Sequence, residues 1–267
     1  DGIRDDLVTG VQTCALPIFL HNKAMIIFLH GFMGTPRDWE DVLSKLTTKE
    51  AYVCPTLPGH IHLSPPPINN GFDASIERLR ELYPSIKTSD SMTLVGYSLG
   101  GRLALEYWYK YPQYISKLIL ISTNFGINDP QKKSSREIWD TLKAELIRKK
   151  GLKSFMENDW YSMPIFESFR KNKHYERIIS HRLCHSKEYI AQAIQAFSPS
   201  KQRHFFSNLS HLPETHYIYG EEDKKYALQS KNLTGYTNIS THKIPDSGHV
   251  VHLENPLKVS MLLNKIL

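Results

Sequence analysis

Gly96-Tyr97-Ser98-Leu99-Gly100-Gly101 decides the fold, because it places a serine in a G-x-S-x-G pattern between a strand-like and a helix-like segment. The segment 91–95 is typical of a strand, and residues 99–108 are typical of a helix. A serine at such a turn adopts a strained backbone conformation that exposes its hydroxyl, and glycines on both sides leave room for it. The pattern therefore predicts that Ser98 is a reactive serine at the end of a strand.

Strand-like and helix-like segments alternate on both sides of this turn. Strand-like segments at 25–29, 115–123 and 239–244, of which the first is a continuous apolar run, are separated by segments with helical periodicity. This order predicts a mostly parallel central sheet flanked by helices. With the serine motif in this context, it predicts the α/β-hydrolase fold.

The alternation stops over residues 125–206, where helical patterns occur without a convincing strand. An insertion of this length between two strands predicts a helical cap over the active site. The core would then comprise 19–124 and 207–267. Residues 1–18 show no periodicity and resemble translated sequencing-adapter read-through, so we expect them to be non-native and set them aside.

Composition excludes several classes of protein. The formal net charge is +6, but the basic residues are scattered and no nucleic-acid reading motif is present, which argues against a nucleic-acid partner. The three cysteines are widely spaced, so we expect a reducing compartment and a cytoplasmic location rather than a disulfide framework. No apolar run is long enough to predict membrane insertion. The oligomeric state stays open.

A reactive serine of this kind needs a base and an acid that orients the base. In this fold the acid follows a later strand and the histidine follows the last strand. Gly220-Glu221-Glu222-Asp223 offers three carboxylates, of which Asp223 is preferred because it lies furthest into the loop and has the usual G-x-x-D spacing. His249, directly after the last predicted strand, is selected from 13 histidines by its position.

Two backbone N–H groups are predicted to form an oxyanion hole. One belongs to Leu99, which follows the serine, and the other to Phe32 in the turn after the first strand. Such donors stabilise negative charge that develops on a substrate oxygen in the transition state. No metal or organic cofactor is expected for this machinery.

Six motifs together resemble one branch of the fold, the 2-succinyl-6-hydroxy-2,4-cyclohexadiene-1-carboxylate synthases of menaquinone biosynthesis. The similarity extends from about residue 25 to the C-terminus. The motifs are H-G-F-x-G (30–34), L-P-G-H (57–60), G-Y-S-L-G-G-R (96–102), D-W-Y-x-x-P-x-F (159–166), G-x-x-D-x-K (220–225) and G-H-x-x-H-x-E-N-P (248–256). At position 61, after L-P-G-H, relatives often have glycine, whereas this chain has Ile61, which we expect to alter the loop.

The resemblance implies a lyase that eliminates pyruvate from a small anionic polycarboxylate, with the serine as a general base. It also implies that arginines hold the substrate carboxylates, a task that suits the planar guanidinium better than lysine. Arg102 lies one helical turn after the serine, and Arg136 and Arg182 are the cap candidates. Tyr97 and Trp160 are further substrate contacts that the resemblance implies.

Two alternatives remain open at this point. A carboxylesterase or thioesterase would use the same serine, histidine and aspartate, so these residues cannot separate it from the lyase. A non-catalytic ligand-binding member of the fold is the second alternative. It has no need for a serine, a base, an acid and an oxyanion turn together, and their presence argues against it.

Overall fold

Six strands form one sheet at the centre of the computed structural model, which describes residues 24–89 and 91–267. In the sheet their order is β2-β1-β3-β4-β5-β6, and all neighbouring pairs are parallel. The predicted central parallel sheet is thus confirmed, and over the described residues it is wholly rather than mostly parallel. The adapter-like stretch 1–18 lies outside those residues. The strands are β1 (Met25–Leu29), β2 (Ala51–Val53), β3 (Met92–Tyr97), β4 (Ile115–Ile121), β5 (Glu214–Gly220) and β6 (Ile239–Ile244).

Helices flank both faces of this sheet. Outside the segment between β4 and β5 they are α1 (Glu40–Leu43), α2 (Gly71–Leu82), α3 (Pro84–Thr88), α4 (Leu99–Lys110), α10 (Lys224–Lys231), α11 (Val251–Glu254) and α12 (Pro256–Ile266). Between β4 and β5 the chain forms α5 (Pro130–Lys150), α6 (Leu152–Phe155), α7 (Glu167–Arg170), α8 (Tyr175–Arg182) and α9 (Lys187–Ala196).

The apolar core lies on both faces of the sheet. Ile27 and Leu29 of β1 belong to one buried cluster, and Ile26 and Phe28 belong to the other. Successive strand side chains point to opposite faces, so a strand covered on both sides reads as a continuous apolar run. Burying each such side chain contributes roughly 1.5–3 kcal/mol. The sheet is therefore a rigid support for the loops at its edges.

The carboxyl edge of the sheet has a topological switch point between β1 and β3. From β1 the chain passes to β2 on one side, and it later enters β3 on the other side. Open α/β sheets bind ligands at such a point, outside the carboxyl ends of the strands. Leu29 at the end of β1 is paired with Gly96 near the end of β3. The turn after β1 and the serine after β3 are thereby brought side by side.

Helices but no strand form between β4 and β5, a stretch that the structure describes in full. We call residues 125–206 the cap segment; the division into a core and a cap stays a prediction. Within the described residues, no helix is both long and apolar enough to cross a membrane. This finding does not locate the protein in the cell, so the cytoplasmic location also stays a prediction.

Candidate active site

Ser98 lies at the sharp turn between β3 and α4, as its motif predicted. Its φ of 49° and ψ of −103° place it outside the conformations that ordinary residues favour, at a cost on the order of 1–3 kcal/mol. The surroundings hold it there: its N–H donates to the carbonyl of Ile121 at 2.9 Å. A Cβ on Gly100 would overlap the carbonyl oxygens of Leu29 and His30. Glycine is therefore required for helix α4 to begin directly against the end of β1.

His249 and Asp223 form a buried pair. Nδ1 of His249 and Oδ2 of Asp223 are 2.8 Å apart, and Oδ1 of Asp223 accepts from the N–H of Tyr226 in the first turn of α10. Because an ionised carboxylate can only accept, Nδ1 carries the proton and Nε2 is left to act as a base. The rings of Tyr226, Tyr97 and Phe166 surround the imidazole, with centroids at 5.0, 5.4 and 5.7 Å.

The two predicted oxyanion donors lie on adjacent elements. Leu99 is the first residue of α4, where the unpaired N–H groups form the positive end of the helix. Phe32 lies in the turn after β1, which is closed by a hydrogen bond from Gly34 N to Gly31 O at 2.9 Å. Across the described part of the chain, neither N–H donates to a backbone acceptor. Both remain available to a substrate oxygen.

A cavity of about 270 Å³ lies beside Phe32, Ser98 and His249. Ser98 and His249 line it together with four cationic side chains, and none of its lining residues is an aspartate or glutamate. Excess positive charge of this kind attracts an anionic ligand. The lining residues are Phe32, Tyr97, Ser98, Arg102, Asn124, Ile127, Arg136, Trp139, Trp160, Tyr161, Met163, Ile165, Phe166, Arg182, Ile194, Phe197, Pro199, Lys225, Tyr226 and His249.

Arg182, predicted as a cap arginine, is buried at the wall of this cavity. Its Nη2 lies 2.6 Å from Oδ2 of Asp38, and its Nη1 donates to the hydroxyl of Tyr161. Burial alone would lower the pKa of Arg182, but the attraction of Asp38 outweighs it and raises that pKa above its usual value. The guanidinium is consequently held charged and in one orientation.

Arg102 and Arg136 approach the cavity from α4 and α5. Nη1 of Arg102 donates to the carbonyl of Phe197 at 2.6 Å. Burial, followed by repulsion from Arg136, lowers the pKa of Arg102 to about 10, so it stays charged at neutral pH. Arg136 forms a two-pronged pair with Asp140, at 2.9 and 2.8 Å, and lies 4.5 Å from the ring centroid of Trp139. Partners therefore fix both guanidinium groups before any ligand binds.

Tyr97 and Trp160, which the resemblance implied as substrate contacts, both line the cavity. Trp160 ends a π-helical turn, Met156–Trp160, and its ring lies 4.9 Å from the ring of Phe32. Tyr97 is buried, and this burial raises the pKa of its hydroxyl well above the ordinary value. Trp160 thus places an apolar surface from the cap segment directly over the predicted oxyanion turn.

The comparison with protein-family models matches residues 26–260 to the alpha/beta hydrolase family. The chain belongs to this family. The match confirms the predicted α/β-hydrolase fold and covers the sheet except Met25, both predicted oxyanion donors, Ser98, Asp223 and His249.

Individual proteins resemble the chain over most of its length. It is 30% identical over 243 residues to the 2-succinyl-6-hydroxy-2,4-cyclohexadiene-1-carboxylate synthase of Enterobacter sp. (strain 638), covering 91% of each protein. It is also 30% identical to the chloroplastic protein PHYLLO of Arabidopsis thaliana, but there it spans only 15% of the relative's length. The solved structure of MenH from S. aureus superposes with a TM-score of 0.82 at 26% identity, covering 91% of this chain and 93% of that one.

The structure adds three residues that the sequence did not single out for a role, two in the cavity wall and one behind it. Tyr161 and Lys225 line the cavity, and Asp38 lies behind Arg182. Tyr161 and Lys225 fall inside quoted motifs, so their positions carried a signal. Asp38 carried none, because a single acid in a short helical stretch has no pattern. Among the described residues, no group of three or more His, Cys, Asp or Glu could hold a metal ion.

Proposed function

We propose that this alpha/beta hydrolase family member is a carbon–oxygen lyase. It would eliminate pyruvate from 2-succinyl-5-enolpyruvyl-6-hydroxy-3-cyclohexene-1-carboxylate to give 2-succinyl-6-hydroxy-2,4-cyclohexadiene-1-carboxylate, a reaction of menaquinone biosynthesis. The observation that carries the proposal is the cavity beside Ser98, lined by Arg102, Arg136, Arg182 and Lys225 without a lining carboxylate. A substrate with several carboxylates fits such a wall better than a neutral ester does.

The chemistry assigns one task to each group. Nε2 of His249, oriented by Asp223, draws the proton from Ser98, whose oxygen removes the ring proton beside the succinyl ketone. The electrons of that C–H bond form an enolate, and its oxygen accepts from the N–H groups of Phe32 and Leu99. When the enolate collapses, a new ring double bond forms at the carbon that lost the proton, the existing ring double bond shifts one position along the ring, and the bond to the enolpyruvyl oxygen breaks. The leaving group takes up a proton and becomes pyruvate.

The cap segment supplies substrate contacts in this proposal. Arg136 and Arg182 would each bind a carboxylate from the side of the cap segment, and Arg102 would bind one from the core side. Each would use guanidinium N–H groups that face the cavity. Tyr97 and Trp160 would pack against the ring and the succinyl chain. Enzymes that are 30% identical and bear the synthase name support this substrate over others of the fold.

A carboxylesterase or thioesterase is the alternative that the same geometry permits. Ser98 would then attack an ester carbonyl and form an acyl-enzyme, with the same oxyanion donors. Of the four cations lining the cavity, Arg136 and Arg182 already pair with Asp140 and Asp38. Arg102 and Lys225 form no salt bridge with a described residue, and a neutral ester would leave them without an anionic partner. Direct comparison of the two reactions separates the proposals.

The test measures pyruvate release from the enolpyruvyl cyclohexene and p-nitrophenol release from a p-nitrophenyl ester. We expect the wild type to release pyruvate, Ser98→Ala to lose that activity, and ester cleavage to be slow. Arg102→Met should raise KM for the carboxylate substrate, whereas Arg78→Met, a matched control on the exposed face of α2, should not. Rapid ester cleavage without pyruvate release would refute the lyase and support the esterase.

A further inference from the structure

His185, in the cap segment after α8, contacts two loops of the sheet edge with its ring. Nδ1 accepts from the N–H of Ile61 at 2.8 Å, and Nε2 lies 2.9 Å from the carbonyl oxygen of Met33. An amide N–H can only donate, so Nδ1 is unprotonated and Nε2 carries the proton. Burial lowers the pKa of His185 to about 4, so the neutral ring that this arrangement requires is the form present at neutral pH.

Both residues that His185 holds have unusual backbones. Met33 has a φ of 58° and Ile61 a φ of 53°, in the left-handed region that favours glycine. Each costs roughly 1–2 kcal/mol relative to an ordinary conformation. Ile61 is the residue that stands where relatives of the resembled family often have glycine. The hydrogen bond from the N–H of Ile61 to His185 compensates for the lack of glycine at this position.

Met33 is held on both sides of its backbone. Its N–H donates to Nε2 of His60 at 3.1 Å, and its carbonyl accepts from His185. The two imidazoles stack edge to face with centroids 5.5 Å apart. Phe32, the proposed oxyanion donor, immediately precedes Met33. Holding Met33 at both polar groups therefore sets the direction of the turn that presents the Phe32 N–H.

We propose that His185 is a positioning residue that fixes the oxyanion turn through the carbonyl of Met33. It couples the docking of the cap segment to the alignment of the Phe32 N–H. Arg182, three residues earlier, pairs with Asp38, so the same part of the cap segment binds the core at a second point. The inference rests on the proposed role of Phe32 as an oxyanion donor.

Two amide substitutions separate the two hydrogen bonds of the ring. In His185→Asn the side-chain oxygen can replace Nδ1 towards Ile61, but the donor to Met33 is lost. In His185→Gln the longer side chain can place its amide nitrogen near the position of Nε2. Misplacing a catalytic group by about 1 Å can cost on the order of 100-fold in rate. We therefore expect His185→Asn to lower kcat by roughly 10- to 100-fold with KM within about twofold, and His185→Gln to keep kcat within about threefold.

The control is His181→Asn, the same change at an exposed position on α8, which should leave kcat and KM unchanged. All variants are measured on whichever substrate the wild type turns over, because an oxyanion turn serves the lyase and the esterase alike. Failure of the proposed lyase function thus remains distinguishable from failure of this inference. Thermal unfolding identifies variants that have lost their fold.

Several results would overturn the proposal. A folded His185→Asn with wild-type kcat would do so, as would an effect on KM alone. If His185→Asn does not fold, the outcome rests on His185→Gln. A folded His185→Gln with kcat lowered more than tenfold would show that the bond to Met33 does not position the turn.

Discussion

The buried pair of Arg182 and Asp38 gives a sharp test of the electrostatics of the cavity. Their side chains are only 3% and 6% exposed, and the charged atoms are 2.6 Å apart. Removing one partner of a buried pair typically costs about 3–5 kcal/mol, because the other charge stays buried without compensation. Asp38→Asn keeps an acceptor for Nη2, and Tyr161 still accepts from Nη1. We therefore expect Asp38→Asn to lower the free energy of unfolding by about 3 kcal/mol, the lower end of that range.

Urea unfolding of Asp38→Asn, Arg182→Met and the double variant measures this loss and the coupling between the two side chains. We expect a coupling energy of at least about 1.5 kcal/mol, since residues in one ion pair are not additive. Glu81→Gln is the control, because its pair with Arg78 lies at 3.2 Å on the surface. It should change stability by less than roughly 1 kcal/mol. A loss below about 1 kcal/mol in Asp38→Asn would refute the charged, paired state of Arg182.

Three further changes test other parts of the site. Asp223→Asn should lower kcat by roughly 10³–10⁴-fold in steady-state kinetics, because an amide can hold His249 in the wrong tautomer; a loss below tenfold would contradict this role. Gly100→Ala should lower the melting temperature, since its Cβ would overlap the carbonyl of Leu29; an unchanged melting curve would disprove the clash. When the pH is lowered from 7.5 to 5.0, the free energy of unfolding measured in urea should decrease by about 2 kcal/mol more in wild type than in His185→Gln. Burial holds the pKa of folded His185 at about 4, whereas that of the unfolded chain is near 6.5, so the unfolded chain takes up the proton first as the pH is lowered. The free energy of unfolding therefore decreases as the pH decreases. Equal losses in wild type and His185→Gln would exclude a buried neutral imidazole.

The fold and the position of Ser98 at a sharp strand-to-helix turn could be predicted because their signals are local. The G-x-S-x-G turn requires a strand before it and a helix after it, and both are visible in neighbouring residues. Asp223 and His249 were found by chain order, since parallel strands bring the ends of β5 and β6 to the same edge. The same alternation predicted a mostly parallel sheet, and the described sheet is wholly parallel.

The partners of the predicted residues could not be read from the sequence. Asp38 and Arg182 are separated by 144 positions, and neither lies in a pattern that selects the other. Arg182 could equally have been a surface residue from its sequence context. His185 has the same difficulty, because its partners are backbone groups that any residue at positions 33 and 61 would provide. Tertiary packing alone determines these contacts.

Backbone strain in this protein is concentrated at the edge where the cavity lies. The non-glycine residues with positive φ among those described are Met33, Ile61, Ser98, Ser122 and Asp246, and each follows a strand of the sheet. A strained residue persists only where its surroundings over-determine its conformation, which a buried parallel sheet does at its strand ends. Only Ser98 of these has a proposed chemical role; the other four shape the loops around it. The stability of the core therefore offsets the cost of presenting the site, and variants that weaken the core should lose activity before they unfold.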